Sequence, residues 1–134
     1  SRCPAGWERH GRFCYKIDTV LRSFEEASSG YYCSPALLTI TSRFEQAFIT
    51  SLISSVAEKD SYFWIALQDQ NNTGEYTWKT VGQREPVQYT YWNTRQPSNR
   101  GGCVVVRGGS SLGRWEVKDC SDFKAMSLCK TPVK

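Results

Sequence analysis

Apolar and polar positions alternate along this chain at two periods. Phe44, Ala47, Phe48, Leu52 and Val56 recur at helical spacing. They follow Ser42-Arg43-Phe44-Glu45, in which the Ser42 hydroxyl can satisfy a free helix amide while Glu45 reaches back. Ser23-Phe24-Glu25-Glu26 repeats that capping box, and Phe24, Ala27 and Tyr31 then fall on one face. Both stripes are expected to pack into a core. Strand-like runs surround them at 13–17, 37–40, 62–67, 75–78, 104–106, 115–117 and 125–129. Turn-rich segments lie between them, notably 70–74, 93–102 and 108–113. Two helices come early and most strands come later, which predicts an α+β fold with an antiparallel sheet. The stretch 68–113 is poor in regular pattern, and a long irregular loop in a compact domain is usually functional or ligand-facing.

Length and composition narrow the class. The 134 residues, 40% hydrophobic and 22% charged, suit one globular domain with its own core, so 1–134 is expected to be a single domain. No stretch approaches the roughly 18 apolar residues of a membrane span. No signal peptide leads the chain. The six cysteines, Cys3, Cys14, Cys33, Cys103, Cys120 and Cys129, include no C-x-x-C pair. That even number predicts three disulfides and an oxidising, extracellular compartment, whereas zinc would want closer Cys or His pairs. A secreted chain with no leader is expected to be mature or cut from something larger. The formal net charge of +4 is lopsided: residues 1–70 carry 7 basic and 8 acidic groups, residues 71–134 carry 10 and 5. This is far from a nucleic-acid binder, and it leaves a mildly cationic face for an acidic partner against the plainer alternative of ordinary charge scatter.

With these elements in place, the chain resembles the C-type lectin-like family along nearly its whole length. Cys3-Pro4-Ala5-Gly6-Trp7 and Phe13-Cys14-Tyr15 resemble the N-terminal hairpin of the family's long form, here 1–17. Phe24-Glu25-Glu26-Ala27 stands where the family has W-x-x-A, and Trp64-Ile65-Ala66-Leu67 is similar to its W-I-G-L motif. Trp78, Val87, Tyr89 and Trp92 resemble the segment after it, and Cys103, Trp115, Cys120 and Cys129 the C-terminal framework. The resemblance implies the pairing Cys3–Cys14, Cys33–Cys129 and Cys103–Cys120, which spacing alone does not select. Cys33 falls two positions later than usual after Ala27, so the first helix is expected to end differently. Ser42-Arg43-Phe44-Glu45-Gln46-Ala47-Phe48, Ala66-Leu67-Gln68-Asp69 and 113–120 are similar to the third lectin-like domain of the mannose-receptor family. That likeness implies one extracellular module of a type I, multidomain endocytic receptor. Its partners would be neighbouring domains of the same receptor and a protein ligand, a secreted phospholipase A2. Membrane contact would come only through the rest of the receptor. Two alternatives stand beside it: a spacer module with no ligand of its own, and a free-standing secreted protein of the venom type. The latter commonly carries an extra cysteine for an interchain bridge, which an even six speaks against.

Sugar-binding members of the family hold calcium through three short motifs. Calcium takes about 6–8 oxygens, and carboxylates among them supply most of the affinity. Here E-P-N or Q-P-D reads Gln96-Pro97-Ser98. The glutamate two residues before the next cysteine reads Gly101, and W-N-D reads Trp115-Glu116-Val117. Among Gln96, Ser98, Gly101, Glu116 and Val117 only Glu116 carries a charge. No calcium, no calcium-dependent sugar and no cofactor is therefore expected. Asn71-Asn72-Thr73 is an N-glycosylation sequon. The lone His10, with every cysteine expected to be bridged, leaves no nucleophile and base for an enzyme. Asp69, Glu75 and Glu85 are expected to be solvated loop acids. Trp7, Trp64, Trp78, Trp92 and Trp115 are read as packing residues rather than a sugar platform. Arg95, Arg100, Arg107 and Arg114 cluster around the degenerate loop and form the candidate ligand surface, because a guanidinium fork suits carboxylates. The alternative is that they only keep the surface soluble.

Overall fold

A computed structural model describes residues 2–56, 60–80 and 82–134. Along the chain, β1 (Glu8–His10) and β2 (Phe13–Arg22) form a hairpin, followed by α1 (Phe24–Ala27), β3 (Ala36–Leu37) and α2 (Arg43–Ser54). Then come β4 (Tyr62–Gln68), β5 (Thr77–Thr80), β6 (Gln83–Glu85), β7 (Cys103–Arg107), β8 (Trp115–Lys118) and β9 (Ala125–Pro132). The run that alternates least, Phe63 to Leu67, is buried throughout, and β4 accordingly sits at the centre. It pairs antiparallel with β5 and β7 and parallel with β9. β9 also carries β2 and β3, while β8 completes the sheet on β7. The result is the expected α+β architecture, antiparallel except where β4 meets β9. The stretch 68–113 is more regular than its composition implies, since β5, β6 and β7 fall within it. Its longest irregular part is 86–102.

Three disulfides close the fold: Cys3–Cys14, Cys33–Cys129 and Cys103–Cys120. They tie the N-terminus to β2, the exit of α1 to β9, and β7 to the turn after β8. The chain ends also meet, with the Arg2 amide donating to the Lys134 carbonyl at 3.1 Å.

Both helices differ from the sequence expectation. The capping box at Ser23 is complete, with Ser23 Oγ accepting from the Glu26 amide and Glu26 accepting from the Ser23 amide. Yet α1 stops at Ala27, and Tyr31 is 79% exposed rather than part of a buried face. Gly30, at φ +86°, takes the chain into the left-handed region that an L residue resists, and Cys33 must then reach β9. In α2 the buried face is Glu45, Gln46, Ile49 and Ile53. Phe44 is 68% exposed, Ala47 and Val56 are exposed, and Phe48 and Leu52 are half-buried. The apolar stripe thus misplaces the core side of this helix, because two of its inward positions are polar.

Glu45 is buried because its oxygens are fully used. It accepts from Tyr15 Oη at 2.6 Å and from the Thr41 amide at 2.9 Å, and Lys130 Nζ lies 2.6 Å away. Only half of the second capping box forms: Ser42 Oγ accepts from the Glu45 amide, while the carboxylate turns to Thr41 and inward. The Lys130–Glu45 pair is 9% and 8% exposed, and Lys130 also donates to the Thr39 carbonyl. Burial alone would raise the Glu45 carboxyl, but Lys130, Tyr15 and the Thr41 amide outweigh it and hold it below its ordinary value. The Tyr15 phenol moves the other way, raised first by burial and then by its bond to Glu45.

Removing one member of a buried pair strands the other, at a cost of about 3–5 kcal/mol. Glu45→Gln is therefore expected to lower unfolding free energy by about that amount in a denaturant titration with the disulfides intact. The Glu45 contribution is fully present above the ordinary glutamate pKa of about 4.3 and is lost as pH falls through the lower folded value. Acid sensitivity below about pH 4 should thus be shallower in Glu45→Gln than in the parent chain. An unchanged acid slope would contradict this account.

Candidate functional site

Trp115, wholly buried at the start of β8, positions the long loop. Its amide donates to the Tyr91 carbonyl and its carbonyl accepts from the Asn93 amide, both at 2.9 Å. Its ring meets Trp78, Tyr89 and Trp92 edge-on. Trp64 and Trp78 are buried, and Trp7 and Trp92 half-buried, as packing residues would be. Beyond Asn93 the chain turns through Arg95, at φ +67°, and the cis peptide Gln96–Pro97.

This brings Gln96 against β8. Gln96 Oε1 accepts from the Val117 amide at 3.0 Å and from the Ser98 amide at 3.1 Å. Glu116, on the same strand, accepts from Asn93 Nδ2 at 2.6 Å and from Arg107 Nη1 at 3.4 Å, with Lys118 Nζ 3.8 Å away. Val117 is buried and leaves no room for a side chain at position 102, where a Cβ would lie 2.2 Å from its Cγ1. Ser98 is exposed, and Gly101 turns its amide toward Asp69. The structure therefore gathers Gln96, Glu116 and Val117 and leaves Ser98 and Gly101 aside.

Calcium does not fit this donor set. The one neutral oxygen already accepts two amides, and the one carboxylate already serves a primary amide and two cations. A divalent cation here would face Arg107 and Lys118 and recover no further charge.

Asp69 departs from its expected role as a solvated acid. It is buried and accepts from the amides of Gly74 at 2.7 Å, Gly101 at 2.8 Å and Thr73 at 3.1 Å, and from the Thr73 hydroxyl. Burial alone would raise this carboxyl; the Gly101, Gly74 and Thr73 donors outweigh it and hold it low. Asp69 thus staples the 70–74 turn to the far end of the loop. The signal was present as an aspartate heading a turn closed by glycine, a pattern in which the side chain bonds the next amides. Glu75 and Glu85 are exposed. Asn71 of the sequon is exposed in the stapled turn.

The arginines divide. Arg107, on β7, is 17% exposed and paired to Asp60 and Glu116, so it is no free ligand contact. Arg114 is half-buried with its guanidinium 3.8 Å over the Tyr91 ring. Arg95 and Arg100 are exposed and form no ion pair among the described residues. The expected cluster of four is therefore a free pair beside two structural members. All six cysteines are bridged, and His10 stacks on Phe48 at 4.4 Å.

If Asp69 organises the loop, Asp69→Asn should speed hydrogen exchange at the Thr73, Gly74 and Gly101 amides by about tenfold or more, because charge-assisted bonds become neutral or are lost. Exchange in β4 should be unaffected. The staple also predicts faster exchange at those three amides as pH falls through the depressed Asp69 value, after correction for intrinsic rates.

A family model described as Lectin C-type domain matches residues 20–131. The chain is 99% identical over 134 residues to the secretory phospholipase A2 receptor of Mus musculus, covering all of this chain and 9% of that protein. It is 46% identical over 132 residues to lymphocyte antigen 75 of Homo sapiens, covering 96% of this chain and 7% of that protein. The chain thus spans less than a tenth of the length of these relatives. Among solved structures, human lithostathine superposes with a TM-score of 0.84 at 28% identity, over 98% of this chain and 92% of that one. A model match over most of the length, with a fold shared to that degree, means that the chain belongs to the C-type lectin domain family.

Proposed function

We propose that this chain is a calcium-independent protein-interaction module of a multidomain endocytic receptor, and that the receptor's ligand is a secreted phospholipase A2. Glu116 carries the first half of the proposal. Its carboxylate is already engaged by Arg107 and Lys118, which supports a loop that needs no metal. The second half is supported by relatives that are named as receptors for that class of protein. Three bridges and a sequon on an exposed turn suit an extracellular ectodomain, with Asn71 as the glycosylated residue. Arg95 and Arg100 form the ligand-facing pair on the loop. Each presents a guanidinium with no ion pair among the described residues, the group most suited to a partner's carboxylates.

Two measurements test this. Thermal unfolding of the chain in millimolar calcium and in EDTA should give the same midpoint to within about 1 °C, since a ligand at about 100 times its Kd would stabilise by roughly 2.7 kcal/mol. Binding of a secreted phospholipase A2 should survive in EDTA, and Arg95→Ser with Arg100→Ser should weaken it by about tenfold. A calcium-dependent midpoint would overturn the calcium half. Absence of binding in both buffers would make the chain a spacer that orients its neighbours.

A further inference from the structure

A second cationic site lies away from the long loop. A cavity of about 370 Å³ opens where the end of α1 faces the β5–β6 pair. Arg84 of β6 and Lys79 of β5 line it, with Gln68, Gln70, Ser28 and Ser121. Arg84 Nη2 donates to Gln68 Oε1 at 2.5 Å. Its Nη1 is buried and has no hydrogen-bond partner. No carboxylate pairs with Arg84 among the described residues, and burial alone lowers its guanidinium from the ordinary value. Lys79 Nζ donates to Ser28 Oγ at 3.3 Å and likewise has no acidic partner. Glu25 reaches the cavity and forms no ion pair with either cation.

A buried guanidinium N–H left unpaired is costly, and a desolvated cation without a counter-charge more so. The Arg84 guanidinium and the exposed Lys79 ammonium, neither with an acidic partner among the described residues, line one small cavity and together are complementary to a single oxyanion. We propose that this cavity is a recognition pocket for one carboxylate side chain of a protein partner, received by the Arg84 guanidinium and Lys79 Nζ. The Gln68 and Gln70 amides remain to donate to its second oxygen. The charge around the cavity favours this source over a sulfated glycan. A polyanion needs a track of cations, whereas here Glu25 lies in the lining and Asp119 and Asp122 flank the Cys120–Ser121 segment. The source of the carboxylate rests on the protein-interaction reading above. The pocket itself does not, and it is testable without any protein ligand.

The probe is N-acetylglutamate, titrated into the isotopically labelled chain and followed at the Arg84 Nε–H and the backbone amides of Lys79 and Arg84. Its neutral isostere N-acetylglutamine and a heparin oligosaccharide are the other two arms. Saturable shifts are expected with N-acetylglutamate and not with N-acetylglutamine. Arg84→Gln should weaken binding by at least about tenfold, and Lys79→Gln by about threefold, with Lys124→Gln as a neutral control. Lys79 is exposed, so its substitution keeps the test open if Arg84→Gln fails to fold. Equal shifts from the acid and the amide would overturn the pocket, as would binding untouched by Lys79→Gln. Binding of the heparin oligosaccharide alone would reassign it to glycans. If phospholipase A2 fails to bind while N-acetylglutamate binds, the pocket stands and the ligand assignment falls.

Discussion

A fully buried tryptophan has one polar atom to satisfy, and in this fold much depends on where that atom finds its partner. Trp115 Nε1 donates to Gln46 Oε1 at 2.8 Å, and Gln46 Nε2 donates in turn to the Gly113 carbonyl at 2.9 Å. One glutamine on α2 thus satisfies a side chain on β8 and the backbone just before it. The approach is close enough that a Cβ at position 113 would lie 2.4 Å from Thr50 Oγ1, so only glycine lets the helix settle there. From Trp115 the backbone holds Tyr91 and Asn93, and Asn93 reaches Glu116. Helix, sheet and long loop therefore share one buried hydrogen-bond chain. A gap anywhere in it would leave an indole or an amide unsatisfied in the core.

Three buried carboxylates show how local partners decide what an acid does. Glu45 is paired with Lys130 and Tyr15, and it joins α2 to β2 and β9. Asp69 pairs with no cation among the described residues; backbone amides from two ends of a loop satisfy it, and it fixes backbone shape instead. Glu116 is held by two cations and an amide. The same functional group thus acts as a buried counter-ion, a loop staple and an acid held between two strands. The cations that hold Glu116 sit on β7 and β8, the strands that also place the acid.

Much of the fold was legible because strand-length apolar runs and the Ser23 cap are local signals. The core side of α2 was not. Glu45 and Gln46 look like solvent residues until Tyr15, Lys130 and Trp115 arrive from sequence separations of 30 to 85, since 130 − 45 = 85. Phe44 and Phe48 supplied a convincing helical stripe nearby, yet the position of the buried polar pair rotated the helix away from it. The end of α1 was equally a matter of tertiary demand, because Cys33 has to meet Cys129. At the site, the absence of a carboxylate at Gln96, Gly101 and Val117 could be read directly. That Arg107 would be spent on Glu116 could not, because a strand cation and a strand acid nine residues apart meet only across the β7–β8 ladder.

The charge asymmetry between the halves acquires meaning once the pairs are known. The acids at 26, 45, 60 and 116 each engage a cation of the C-terminal half, namely Lys124, Lys130, Arg107 and Lys118. What remains without an ion pair among the described residues of that half includes Lys79, Arg84, Arg95 and Arg100. These are not scattered evenly. Arg95 and Arg100 lie on the loop, and Lys79 and Arg84 share one cavity. A surplus that existed only for solubility would be solvated, and the Nη1 of Arg84 is not. Keeping an unpaired guanidinium half out of water costs stability, and no acid among the described residues pairs with it. An acidic group from outside the chain would offset that cost, so the placement of these cations argues for an acidic partner surface more strongly than the net charge does.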